Sequence, residues 1–164
     1  MKNLKSYNES IKDFLKPKSK EQIKDSLLNL TPLEKLHKGC VNNILWLVKQ
    51  SLDEGADPSE NYNFFIRYSI QFGYLDIVKE LLKDKRVDPS DYNNYAIRHS
   101  SENGYLDIVK ELLKDKRVDP SAGNNYAIIH SSENGHLDIV KELLKDKRVR
   151  SEERRVGKEC RSRW

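Results

Sequence analysis

Four histidines and two cysteines are the side chains of this 164-residue chain with the most chemistry to offer. A zinc-type site needs three or four His, Cys or carboxylate ligands at about 2.0–2.3 Å from one ion. His99 and His130 hold the same place in two successive copies of a repeat. They would line one face at the helix spacing of about 10 Å, too far apart to share an ion without other ligands. His37 and His136 add no ligand spacing. Cys40 has no sequence neighbour that would activate it, so a buried structural thiol is expected. Cys40 and Cys160 make neither a disulfide framework nor a metal cluster, and a reducing, intracellular (cytoplasmic) setting is the default. Neither a phosphate-binding glycine loop nor a paired-carboxylate pattern is found. The expectation is a non-catalytic chain with no metal and no cofactor.

Composition bounds the alternatives. Leu, Ile, Val and Phe make up 43 of the 164 residues, above the range of disordered chains, so a packed core is expected. The longest apolar run, Ile44 to Val48, is far short of the roughly 20 residues that span a bilayer. No apolar signal-peptide core follows the basic N-terminus. A membrane partner is therefore not expected. The net charge of +4 is unevenly placed: residues 150–164 carry +3, leaving +1 on residues 1–149. That near-neutral body argues against nucleic acid. The Lys-Asp-Lys-Arg runs at 83–86, 114–117 and 145–148 carry both signs and read as solvated helix ends.

The elements come from a 31-residue repeat. Residues 73–103 and 104–134 are identical at 28 of 31 positions, differing at Asp91/Ala122, Tyr92/Gly123 and Arg98/Ile129. A third copy runs from Gly135 to Val149, altered only at His136, and a diverged copy lies upstream. Each unit predicts two short helices and a loop. Leu75, Ile77, Val78, Leu81 and Leu82 form one helical face. The other helix runs from Tyr95 to about Glu102, and Asn94, like Asn63 and Asn125, is placed to cap its free N–H groups. Asn103-Gly104 separates the two helices. Lys83 to Asn94, with Pro89, reads as an exposed loop.

These units resemble ankyrin repeats, which are about 33 residues long and carry a T-P-L-H-x-A signature. That signature falls on Tyr95-Ala96-Ile97-Arg98-His99-Ser100. Gly135-His136-Leu137-Asp138-Ile139-Val140 is similar to the family's G-H-x-x-I-V, and Ser51 to Asp57 to its L-L-x-x-G-A-D. The wording is similar to ankyrin repeats of giant DNA viruses and some protists. The Thr and Pro of the signature are missing, and the repeat is two residues short in the loop, which implies a tight turn in place of a hairpin finger. Ser100 and Ser131 fall on the family's small Ala positions, which makes them close-packing residues and not nucleophiles. The implied fold is all-α: an ankyrin-repeat solenoid of about four stacked helix pairs with an N-terminal helical extension.

The expected organisation is a leader over 1–30, then repeats over 31–149 (31–60 degenerate, 61–91, 92–122, and a truncated 123–149), then a tail over 150–164. Leu4, Tyr7, Ile11, Phe14 and Leu15 line a basic amphipathic helix. Ser19 to Gln22 and Thr31-Pro32-Leu33-Glu34 are capping boxes for two more. The leader is expected to cover the open end of the stack, with partner or membrane binding as the alternative. The helix following Thr31 has as its partner Val41 to Leu52. The tail resembles a translated sequencing adapter; it is expected to be foreign to the fold, the natural protein running on past Val149.

A solenoid presents an extended surface of equivalent loop and first-helix positions, and all three differences between the near-identical copies fall there. That is what a protein-binding module would show, and equally what drift at exposed sites would leave. Tyr68, Asp91, Tyr92, Arg98, His99, Ile129 and His130 are the expected partner-binding residues, since Tyr and Arg are enriched at hot spots. The alternatives are a virion or scaffold component, in host cytoplasm if viral, and the binding part of a larger enzyme. Ile128, Ile139, Val140, Leu143 and Leu144 include side chains that an internal repeat would bury against its next neighbour, so an uncapped, partly apolar last face is expected. The chain is then a monomer or a weak self-associating species.

Overall fold

The structure, a computed structural model, describes residues 29–149. The helices expected before residue 29 and the tail over 150–164 lie outside the described residues. By contacts the chain divides into Met1–Thr31 and Pro32–Trp164, and the helices below belong to the second unit. They run in pairs: α1 (Pro32–Val41) with α2 (Leu45–Asp53), α3 (Glu60–Gln71) with α4 (Leu75–Leu81), α5 (Asp91–Glu102) with α6 (Leu106–Leu112), and α7 (Ala122–Glu133) with α8 (Leu137–Leu143). First helices pack on first helices (α1, α3, α5, α7) and second helices on second helices, so two layers build up along the stack.

One helix pair cannot bury its own apolar stripe, so stacking supplies the core. Ile77, Val78 and Leu81, with their copies Ile108, Val109 and Leu112, are buried, while Leu75 and Leu82 pack against them half-buried. Ser100 and Ser131 are buried, and their hydroxyls donate back to the Ala96 and Ile128 carbonyls at 2.8 and 3.1 Å. They fill close-packed positions, as expected.

The first pair corrects one expectation. Val41 ends α1 and does not begin the second helix, because Asn43 takes the left-handed conformation (φ 55°) that Gly73 takes one repeat later. The Ile44 N–H then closes on the Gly39 carbonyl at 2.8 Å. Asn is among the few residues that tolerate this region.

The loop is also less exposed than its composition suggests. Val87 and Pro89 are buried. Asp88 makes an Asx turn, its Oδ1 accepting from the Ser90 N–H and Oγ at 2.9 and 2.7 Å; Asp57 and Asp119 repeat the bond with Ser59 and Ser121. Nor are the Lys-Asp-Lys-Arg runs simply solvated. Arg86 chelates Asp84, donates to the Ala56 carbonyl at 3.0 Å and lies 3.7 Å from Asp57 of the preceding repeat. Arg117 and Arg148 repeat the chelate, reaching Asp88 and Asp119. The Arg86 guanidinium holds the Asp84 carboxyl below its ordinary range.

Candidate functional site

Directly after their first residue, α3, α5 and α7 carry three consecutive left-handed residues: Asn61-Tyr62-Asn63, Tyr92-Asn93-Asn94 and Gly123-Asn124-Asn125. Six of the nine are Asn and one is Gly, the types that bear this conformation at least cost. Tyr62 and Tyr92 are the exceptions, each strained by about 1 kcal/mol or more. These turns project the tips that the sequence reads as a tight turn. Tyr62 is 72% exposed and Tyr92 51%. Their rings meet edge to face at 6.0 Å, and the Arg67 guanidinium lies 4.4 Å above Tyr92. Arg67 also donates to the Tyr62 and Asn61 carbonyls at 3.0 and 3.2 Å, satisfying backbone that the turn leaves open.

The asparagines do not cap their own helices as expected. Asn63 turns to the next repeat: its Oδ1 accepts the Asp88 N–H at 3.0 Å and its Nδ2 donates to Asp91 at 2.9 Å. Asn94 Oδ1 likewise accepts the Asp119 N–H at 2.7 Å. A left-handed backbone points the amide away from the helix it precedes and towards the following loop.

Behind the tips, ring pairs line the first-helix layer. Tyr95 lies 4.0 Å from His99 and Tyr126 3.9 Å from His130, while Phe64, Tyr68 and Phe72 follow one another along α3 at 5.6 and 4.6 Å. Successive first helices are stapled by one recurrent contact. His37 stacks on Phe64 at 5.8 Å, Arg67 lies 5.9 Å from the Tyr95 ring, and Arg98 lies 4.6 Å above Tyr126. In each case a side chain of one first helix covers a ring of the next. Glu102 joins both neighbours: it accepts from the Tyr126 hydroxyl at 3.1 Å and faces His99 Nδ1 at 3.1 Å. His130 pairs with Glu133 in the same way at 2.8 Å. Burial lowers the His99 pKa, against the Glu102 charge that raises it.

All seven expected binding residues lie on the first-helix side of the stack. Tyr92 and Ile129 are exposed; Tyr68, Asp91, Arg98, His99 and His130 are half-buried. Arg98 and Asp91 are engaged within the fold, Asp91 also accepting its neighbour's N–H at 2.7 Å. Tyr62 escapes the sequence reading because the matching position in the later copies is Asn. Its own signal was an aromatic residue where the repeat has a polar one. Cys40 is buried, and that burial pushes its thiol up to about 12 despite a hydrogen bond with Ser69. Among the described residues no group of three or more His, Cys, Asp or Glu could hold a metal ion, and no helix is long and apolar enough to cross a membrane.

Stacked antiparallel helix pairs, joined by tight turns on one side and by longer loops on the other, define an α-helical repeat solenoid. Residues 36–124, just over half the chain, match the family described as ankyrin repeats (3 copies), and the chain belongs to that family. No curated protein matches the chain significantly. Ankyrin repeats are non-catalytic scaffolds for protein–protein interaction, and the matched stack takes that general role.

Proposed function

We propose that the stack binds a protein partner through its turn tips and first-helix face. Tyr62 joins Tyr68, Asp91, Tyr92, Arg98, His99, Ile129 and His130 as a contact residue. The observation that carries this is the Tyr62–Tyr92 pair, two largely exposed rings held in fixed relation by Arg67. Pre-packed tyrosines give contact area at low entropic cost, and Asn beside them adds adaptable hydrogen bonding. Among the described residues, α4, α6 and α8 carry no such pair and repeat the same seven residues from copy to copy.

Photo-crosslinking from the full chain in its source cells tests this. Probes replacing Tyr92 or His130 are expected to trap a partner that probes at Lys79 or Lys110 do not. Trapping from the second-helix positions alone would overturn it. The reading takes residues 150–164 as foreign to the fold and the wording of the repeats as a mark of a giant-virus or protist source, with the partner in the host cytoplasm. A virion or scaffold role, or the binding part of a larger enzyme, remains the second reading. It is distinguished by whether purified particles or a longer reading frame contain the chain. Weak self-association through the last pair is supported by Leu137, 66% exposed, and Ile129, 46% exposed.

A further inference from the structure

The part of the first-helix face farthest from the tips has its own electrical character. Segments 68–74, 99–105 and 130–136, which run from the ends of α3, α5 and α7 into the turns after them, hold Glu102 and Glu133 and no Lys or Arg. Cations on α3 and α5 are drawn to the other end: Arg67 and Arg98 lie over Tyr92 and Tyr126 and donate to turn carbonyls. Residues 1–28 and residues 150–164 each carry +3 within a total of +4, so residues 29–149 carry −2. The carboxylates are interleaved with rings. Tyr68, His99 and His130 follow one another at equivalent positions, Phe72 stands 48% exposed beside Tyr68, and Glu102 and Glu133 sit one turn beyond the histidines.

Planar rings with carboxylates beside them suit a guanidinium, which stacks flat on a ring and pairs with the opposite charge. The stack already uses that chemistry internally, with a guanidinium 4.6 Å above the Tyr126 ring. We propose that the partner meets this face with a cationic segment, its Arg side chains laid across the Tyr68–His99–His130 column and against Glu102 and Glu133. This rests on the partner-binding reading above and gives the partner its chemistry. Charge complementarity of this kind sets partner choice and association rate more than raw affinity.

The test uses the full chain and two fluorescein-labelled peptides, one alternating Arg and Ser, the other alternating Glu and Ser, followed by anisotropy at low and moderate salt. The Arg peptide should bind more tightly than the Glu peptide and weaken as salt rises. Glu102→Gln with Glu133→Gln should weaken the Arg peptide about fivefold to tenfold, the worth of one to two exposed charge pairs. Glu80→Gln with Glu111→Gln removes the same charge from the second-helix layer and should change binding less than about twofold. Because Glu102 also holds Tyr126, the single change Glu133→Gln is measured beside the pair and should weaken binding by itself. Equal losses from the two double variants, no loss from Glu133→Gln, or no preference for the Arg peptide would overturn the proposal. If partner crosslinks still form at Tyr92 and His130 in that case, the binding surface stands and only the cationic partner falls.

Discussion

Two buried residues carry sharp consequences. Ser101 is fully buried between repeats, its Oγ has no hydrogen-bond partner, and Ile70 stands at the equivalent place one repeat earlier. An unpaired buried hydroxyl costs about 1–3 kcal/mol. Ser101→Ala is therefore expected to raise urea-unfolding stability by about 1 kcal/mol, while Ser132→Ala, at the exposed copy, stays within about 0.5 kcal/mol. Cys40 gives a pH dependence. Its folded pKa of about 12 lies above the unfolded value near 9, so the folded state holds the proton more tightly. The stability this provides is complete below the unfolded pKa and is lost as pH rises towards the folded one. Between pH 8 and 10 the loss from this thiol should be about 1.5 kcal/mol. Denaturant titrations at the two pH values should show the slope in the native chain and a flatter one in Cys40→Ala.

At the scale of the element, junctions between repeats are unequal although the repeats are nearly identical. Asn63 bridges Asp88 and Asp91, whereas Asn125 makes one long bond, 3.4 Å to the Val149 carbonyl, and leaves its buried Oδ1 unpaired. Asn63→Ala is expected to cost about 2–3 kcal/mol, from two lost bonds and a left-handed Ala. Asn125→Ala should cost about 1 kcal/mol, mostly the conformational part. The glycines repeat the asymmetry. A Cβ on Gly104 would meet His136 at 2.7 Å, while one on Gly135 meets nothing within 4 Å, and both residues have positive φ. Gly104→Ala should thus lower the melting temperature more than Gly135→Ala, by an amount equivalent to about 1 kcal/mol of clash. Thermal melts of the four variants check both pairs.

For the whole molecule, stability should fall along the stack. Asp91 and Tyr92 tie α5 to α3, and their counterparts Ala122 and Gly123 offer α7 no such tie. Val140 is half-buried where Val109 is fully buried, and Leu137 is exposed where Leu106 is half-buried. Of the five apolar residues on the last pair that were expected to include open side chains, Val140 and Leu144 are half-buried, while Ile128, Ile139 and Leu143 are buried. Hydrogen exchange should be slowest over 75–115 and quicken after about residue 125, as sub-global opening starts from the least-tied unit. Uniform protection up to Val149 would contradict that gradient.

Much was readable from residues alone. A 31-residue period with apolar positions at helical spacing determines helix pairs that must stack, since no pair can bury its own face. The first-helix position of the proposed binding residues follows from the same periodicity, the burial of Ser100 and Ser131 from the ankyrin resemblance, and that of Cys40 from its lack of an activating neighbour. Tertiary structure alone decided what the polar residues do. Asn63 and Asn94 bond 25 residues ahead, and Arg67 and Arg98 cover rings in the next repeat. Hydrophobic patterning is local, because the helix period dictates which residues share a face. The partner of an amide or a guanidinium depends on where the next repeat lies and on the sign of φ, and only the assembled stack sets those.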